Sequence, residues 1–262
     1  MPAYNAEKFI NEAIESILDQ TYKNFEFIIV DDASSDDTWN IIQKYAKKDK
    51  RIITLKNKAN QKICKTLNKG IEIAKGKYIV RMDADDWSFP DRINKQLKFM
   101  ELHKNIVISG CSMMICDSKL NPYAVRSYSS ENKELRKSIL RQSPFSHPTI
   151  IFKTDIAKKV GGYHKLYSED IEFYLNLGQY GEFGNIKDSL IKYREVPTSM
   201  TNTKLKITEI HTIQHRITAV QKLGYNFTVL DLLYNLFHFI SIFIIPAKIK
   251  IYLFNKFRDN KL

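Results

Sequence analysis

Two strand-length apolar runs that each stop at a cluster of aspartates constrain this chain more than any other feature. Phe25 to Val30 reads FEFIIV and ends at Asp31-Asp32, and Lys77 to Met82 reads KYIVRM and ends at Asp83-Ala84-Asp85-Asp86. Near-continuous apolar runs of this length suit strands buried on both faces, as in parallel sheets. Helical patterns alternate with them. Phe9, Ile10, Ala13, Ile14, Ile17 and Leu18 recur on one helical face, with Asn5 placed to cap it. A helix is expected from about Thr38, a strand over 52–55, a helix over 63–74 with Gly76 just beyond, a helix over 91–103 and a strand over 106–111. Such alternation predicts an α/β fold with a mostly parallel central sheet flanked by helices.

After about Tyr123 the alternation weakens. Helices are expected over 131–141, 154–160 and 169–177, with Gly161-Gly162 closing the second, and strands over 150–152 and 190–194. From Leu205 the pattern is helical and turns increasingly apolar through Pro246. A catalytic unit over 1–203 and a helical extension over 204–262 follow as the expected domains.

In open α/β sheets ligands bind beyond the carboxyl ends of the strands. Asp31/Asp32 and Asp83/Asp85/Asp86 are therefore expected to converge on one crevice. Three carboxylates within four residues repel one another without a cation, and they suit Mg²⁺ or Mn²⁺ when a diphosphate adds oxygens. Solvated turns and helix caps are the plainer reading of each cluster alone. A calcium loop of the EF-hand type is excluded, because Trp87 and Ser88 stand where that loop needs an acidic or amide residue and a glycine. A phosphoacceptor receiver domain fits FIIVDD but leaves Asp83 to Asp86 unexplained.

Taken together, Pro2-Ala3-Tyr4-Asn5, FIIVDDASSDDT, AKGKYIVRMDADD, HPTIIFK, KKVGGY and SEDIEFYLNL resemble the inverting family 2 glycosyltransferases of GT-A fold, in order and spacing, over about residues 1–200. The resemblance implies a Rossmann-like sheet and roles for particular residues. Pro2 and Tyr4 would line the nucleotide pocket, with Asp32 accepting from the base. Asp83 and Asp85 match the DxD motif that handles ribose and metal, Asp86 would share metal or sugar contact, and Asp170 beside Glu169 matches the catalytic base. The chemistry agrees: direct displacement at an anomeric carbon needs a carboxylate to take the acceptor proton, and a divalent cation to balance the departing diphosphate. An N-terminal helix charge is the alternative for Asp170. On the acceptor side, His147 reads equally as a substrate contact and as a structural histidine before Pro148. Trp87 reads equally as a sugar-stacking and a core ring. Lys62 and Arg81 could approach phosphate, but in so basic a chain they read first as parts of a solvated face.

The sequence also departs from the family pattern. An apolar strand is expected ahead of Pro2, so the start of the fold is expected upstream of Met1. A histidine common after Tyr-Arg is absent from Tyr193-Arg194-Glu195-Val196, leaving Glu195, His211 or water as its substitute. Lys62 stands where a glycine is common.

Charge decides between the remaining classes. The chain carries 41 Lys and Arg against 29 Asp and Glu, a net +12 over 262 residues. Nine of those basic residues and three acidic ones lie in 204–262, so the excess is concentrated beside the apolar tail. A dispersed charge elsewhere, with no zinc spacing and no helix-turn-helix or RNP signal, argues against nucleic acid. A nucleotidyltransferase also uses paired aspartates, but the glycine-rich loop it usually carries is not seen. Residues 227–246 approach spanning length but are interrupted by Asp231, Asn235 and His238. With Lys248, Lys250, Lys256, Arg258 and Lys261 following, they fit an interfacial helix on an acidic membrane surface, with a core or homodimer helix and then a transmembrane span as the alternatives. The expectation is a cytoplasmic enzyme held peripherally at the inner membrane face, using a nucleotide-sugar donor and a glycan or lipid-linked acceptor. The three cysteines form no CxxC pair and are expected to be reduced.

Overall fold

The computed structural model describes residues 1–164, 167–196 and 204–261. In chain order its first half runs β1 (Pro2–Ala3), α1 (Ile10–Leu18), β2 (Phe27–Asp31), α2 (Thr38–Ala46), β3 (Ile52–Lys56), α3 (Lys62–Ile73), β4 (Tyr78–Val80), β5 (Trp87–Ser88) and α4 (Arg92–Leu102). The second half runs β6 (Ile106–Cys116), β7 (Pro122–Arg126), α5 (Asn132–Ile139), a 3-10 turn at His147–Thr149, β8 (Ile151–Lys153), α6 (Thr154–Lys159), α7 (Glu169–Leu177) and β9 (Glu182–Arg194). The tail is α8 (Leu205–Lys222), α9 (Val229–Ile244), α10 (Ala247–Arg258) and β10 (Asp259–Lys261).

β1, β2 and β3 form the parallel sheet expected of the first apolar run. Ile10, Ala13, Ile14 and Ile17 of α1 are buried against it, together with Phe27, Ile29, Ile41 and Ile42. Asn5 does not cap α1: its backbone is left-handed (φ 49°) and its side chain accepts from Ser35 N, so Phe9 precedes the helix without a side-chain cap. The second sheet is mixed. β6 pairs in parallel with β9 but antiparallel with β7 and β8, and β4 is antiparallel to β8. The five residues between β6 and β7 are too few for a crossover and permit only a hairpin. Asp117 closes it by accepting from the Lys119 and Asn121 N–H groups.

β1 ends one sheet and β4 ends the path of the other, and among the described residues no strand pairing joins them. A cavity of about 500 Å³ lies between, lined by Ile28 and Val30 of β2, Tyr78 and Val80 of β4, Leu67 of α3 and Leu97 of α4.

The expected boundary at 203/204 lies outside the described residues. Beyond it, α8 is built into the second core: Ala219, and Tyr225 just after the helix, are buried with Phe173 and Leu177 of α7. β10 pairs with β7, a strand that the helical reading of the tail did not anticipate.

Candidate active site

The loops after β1 and β2 are laced together. Asn5 N donates to Ser34 Oγ at 3.0 Å, Ala6 N to Thr38 Oγ1 at 2.8 Å, and Asp32 N to Ala3 O at 2.8 Å. Pro2 is buried in β1 opposite Val30, and Tyr4 stands 51% exposed in the turn beyond. Asp31 is fully buried and accepts from Ser34 Oγ at 2.5 Å. Asp32 accepts from Asn57 Nδ2 at 2.6 Å, Gln61 N at 2.8 Å and Lys62 N at 2.9 Å. A carboxylate offers about four lone-pair sites, so one remains for a base N–H. Lys62, which the sequence reading placed on a solvated face, donates this bond from its main chain in a left-handed conformation (φ 68°).

Beyond β4 the chain places Asp83, Asp85 and Asp86 so that one carboxylate oxygen of each lies within 4.8 Å of the others. Met82 and Ala84 are buried in the core beneath the first sheet. Arg81 is not solvated as the sequence reading expected. It is 5% exposed, and its Nη1 donates to Asp83 Oδ2 at 2.5 Å. Burial and the Asp83 charge push Asp85 up to about 6, and burial with Asp85 and Asp83 pushes Asp86 well above the usual carboxylate range. Asp86 Oδ1 accepts from Arg194 N at 3.0 Å, while its buried Oδ2 has no partner among the described residues. Clustered hard oxygens with an orphaned buried acceptor fit Mg²⁺ or Mn²⁺.

The acceptor-side candidates divide. Trp87 lies in β5 beside β9, edge-on to Phe89 at 5.0 Å with Lys192 Nζ over its ring at 5.2 Å. His147 bonds the Tyr163 hydroxyl at 2.8 Å and meets the Tyr174 ring edge-on, and burial with the Arg81 charge lowers its pKa well below the usual value. Glu169 and Asp170 open α7, after Ser168 in a left-handed conformation (φ 55°) that hydrogen-bonds Thr212 of α8 at 2.6 Å. Burial, then the Asp170 charge, raises Glu169 to about 7. Burial raises Asp170 as well, against the opposing pull of the Ile171 N–H and Arg81. Arg81 thus acts on both carboxylate groups, and Glu169 also feels Asp83.

Glu195 does not stand in for the absent histidine. Its oxygens accept from Tyr123 at 2.5 Å and Asn255 at 3.1 Å, and among the described residues only Asp83, Asp85 and Asp86 form a metal-holding group. His211 is stacked on Tyr167. Sequence reasoning also missed Asn57 and Arg194, whose signals are tertiary.

Residues 1–161 match the family model described as glycosyl transferase family 2. Over 202 residues the chain is 36% identical to the putative glycosyltransferase EpsE of Bacillus subtilis, covering 74% of this chain and 71% of that one. Over 102 residues it is 47% identical to the Escherichia coli protein WfaP, named a UDP-Glc:alpha-D-GlcNAc-diphosphoundecaprenol beta-1,3-glucosyltransferase, covering 39% of this chain and 40% of that one. The mannosyltransferase PcManGT of Pyrobaculum calidifontis, solved with GDP-Man and Mn²⁺, shares the fold: TM-score 0.62, 18% identity, 92% of this chain and 68% of that one. The sheet layout, the aspartate clusters and these likenesses agree that the chain belongs to glycosyl transferase family 2, with a GT-A fold.

Proposed function

We propose that the protein is an inverting glycosyltransferase. It moves a sugar from a nucleoside diphosphate sugar, a UDP-sugar, to a hydroxyl of a lipid-linked acceptor or glycan at the cytoplasmic face of a membrane, in the building of cell-surface polysaccharide. The observation that carries this reading is the pairing of the Asp83/Asp85/Asp86 cluster with a second, separate carboxylate pair at the start of α7.

In this reading Tyr4 and Pro2 border the base, and the remaining Asp32 lone pair accepts its N–H. Asp85 and Asp86, with Asp83, would hold Mg²⁺ or Mn²⁺. What such an ion supplies when bound is positive charge on the departing diphosphate. Asp170 takes the acceptor proton as the acceptor oxygen bonds the anomeric carbon. The bond from that carbon to the phosphate oxygen breaks, and the nucleoside diphosphate leaves with the electron pair. Attack opposite the leaving group inverts the centre. Burial raises the Asp170 carboxyl above its ordinary value, which makes its carboxylate a stronger proton acceptor.

The tail supports the membrane part. α9 is turned inside out: Asp231, Asn235 and Ser241 are buried, while Leu233, Phe237, Phe243 and Ile244 are exposed. Arg141 pairs Asp231 at 2.5 Å and Arg216 bonds Asn235 at 3.2 Å, which holds the apolar face outward. Lys248 and Lys256 follow on α10. An exposed apolar helix face followed by lysines fits an anionic bilayer surface. No helix among the described residues is long and apolar enough to cross a membrane.

The test is release of nucleoside diphosphate from a donor panel with Mn²⁺ and a lipid-linked acceptor, with the anomeric configuration of the product read by NMR. Asp170→Asn is expected to keep nucleotide affinity and lose at least 100-fold in kcat. Turnover of GDP-sugars alone would overturn the donor assignment, retained configuration the mechanism, and full activity in Asp170→Asn the base.

A further inference from the structure

Asp32 is held through a relay of hydrogen bonds that starts on a lysine. Lys69 of α3 donates from Nζ to Asn57 Oδ1 at 2.5 Å. Asn57, just past β3, donates from Nδ2 to Asp32 Oδ1 at 2.6 Å and to Thr66 Oγ1 at 3.2 Å. Thr66 in turn donates to Lys62 O at 2.9 Å, and Asn57 N donates to Asp31 O at 2.8 Å. Asp32, Asn57 and Thr66 are buried, and Lys69 is half-buried. An ammonium carries donors only, so it fixes which end of the Asn57 amide faces it. The amide oxygen meets Lys69, and the NH₂ group meets Asp32 and Thr66. Both amide hydrogens are then in use, and Asp32 is presented with a donor.

This leaves Asp32 with one acceptor site. Its Oδ1 accepts from Asn57 Nδ2 and from Gln61 N at 2.8 Å, which fills both lone pairs. Its Oδ2 accepts from Lys62 N at 2.9 Å and, among the described residues, keeps one lone pair open. A uracil offers a single N–H on its pairing edge, between two carbonyls. A guanine offers two adjacent donors, N1–H and N2–H, which a carboxylate meets with both oxygens. With Oδ1 filled, the second guanine donor is desolvated without an acceptor, and leaving a polar group unpaired is what rejects a near-miss ligand.

We infer that Asn57, oriented by Lys69, is a positioning residue that makes Asp32 a single acceptor and so selects a uracil over a guanine nucleotide. This rests on the reading of Asp32 as the base acceptor and adds the source of its selectivity.

The experiment is calorimetric titration with UDP, GDP and N3-methyl-UDP in Mn²⁺, which needs no transfer. It compares wild type, Asn57→Ala, Asn57→Leu, Lys69→Met and Lys69→Arg, after thermal melts establish which variants fold. Wild type is expected to bind UDP about tenfold or more tightly than either GDP or N3-methyl-UDP. The Asn57 variants reopen an Oδ1 lone pair, so their UDP-to-GDP ratio is expected to fall about fivefold or more. Lys69→Met lets the amide turn and is expected to lower the ratio in the same direction. Lys69→Arg keeps a donor-only partner and is expected to hold the ratio. A folded Asn57 variant that weakens UDP and GDP by the same factor overturns the inference, since a purely structural pin would do that. A wild type that binds GDP as tightly as UDP overturns it too. If neither Asn57 variant folds, Lys69→Met decides, and an unchanged ratio there rejects the relay. A wild type indifferent to N3-methylation would sink the Asp32 reading and this inference with it. Rejection of the methylated base, with an unchanged ratio in the variants, would sink the inference alone.

Discussion

The Arg194 N–H donates to Asp86 Oδ1 at 3.0 Å, across 108 positions of sequence. The Arg194 side chain completes the clamp. Its Nε donates to Asp85 O at 2.7 Å, its two terminal nitrogens to Ser118 O and Glu12 Oε2, and its guanidinium covers the Phe9 ring at 4.4 Å. The end of β9 thereby holds the aspartate loop against α1. Arg194→Met leaves the half-buried Asp85 carbonyl unpaired and loses the bonds to Glu12 and Ser118, and is expected to cost about 1–3 kcal/mol, seen as a melting temperature lower by about 3–8 °C. Mn²⁺ affinity should fall about tenfold with the loosened loop. A melt and a Mn²⁺ titration matching wild type would show that the clamp does not matter.

The α7 pair sets a pH dependence whose sign is fixed. Glu169 sits at about 7 and Asp170 is raised too, both chiefly by burial. A base must be deprotonated, so transfer climbs as pH rises through the pair's apparent value, above the ordinary carboxylate range. Glu169→Gln removes the like charge and should move the acid limb down by about one unit. Stability gives the matching sign. A carboxyl raised in the folded state favours folding while protonated and loses that advantage as pH rises from about 4.5 to about 7. The melting temperature of Glu169→Gln should therefore gain on wild type across that window. A constant difference would contradict the assignment.

Lys62 offers a stabilising change. A non-glycine residue in the left-handed region carries a steric cost of about 1–2 kcal/mol, and glycine carries none. Allowing for the greater freedom of glycine in the unfolded chain, Lys62→Gly should gain about 0.5–1 kcal/mol in urea unfolding. The Lys62 N–H bond to Asp32 is retained in that variant, so nucleotide affinity should hold. A loss of affinity would reveal a contact made by the lysine side chain.

The outward face of α9 predicts a separable membrane function. Leu233→Glu with Phe237→Glu alters two exposed positions and should leave the melt within about 0.5 kcal/mol of wild type per site. Flotation with vesicles containing phosphatidylglycerol should drop at least tenfold, while transfer to a soluble acceptor analogue persists. Equal flotation of the double variant would exclude this face as the docking surface.

What was legible in the sequence was whatever rests on local periodicity. The FIIVD strand, the buried stripe of α1 and the acidic loop after β4 stand where the residues place them. The first half of β9 was not legible, because Gly184, Asn185, Lys187 and Asp188 are polar or small, and β6 makes it a strand by pairing alongside. Asn5 carries a cap-forming side chain that Ser35 claims instead. Arg81 was lost in a basic composition; burial, which decides its role, is a property of the fold.

The gap between the β2 and β4 edges has a mechanical meaning. Ile28 and Val30 of β2 stand on one side of it, and Tyr78, Val80 and Arg81 on the other. Beside it the two sheets share no strand among the described residues; Gln20 bonds Phe89 O at 2.8 Å and Thr21 N donates to Pro90 O at 2.8 Å instead. Isolated links yield to shear more readily than a ladder of backbone bonds. The seam is therefore the plane along which the two sheets can slide against each other.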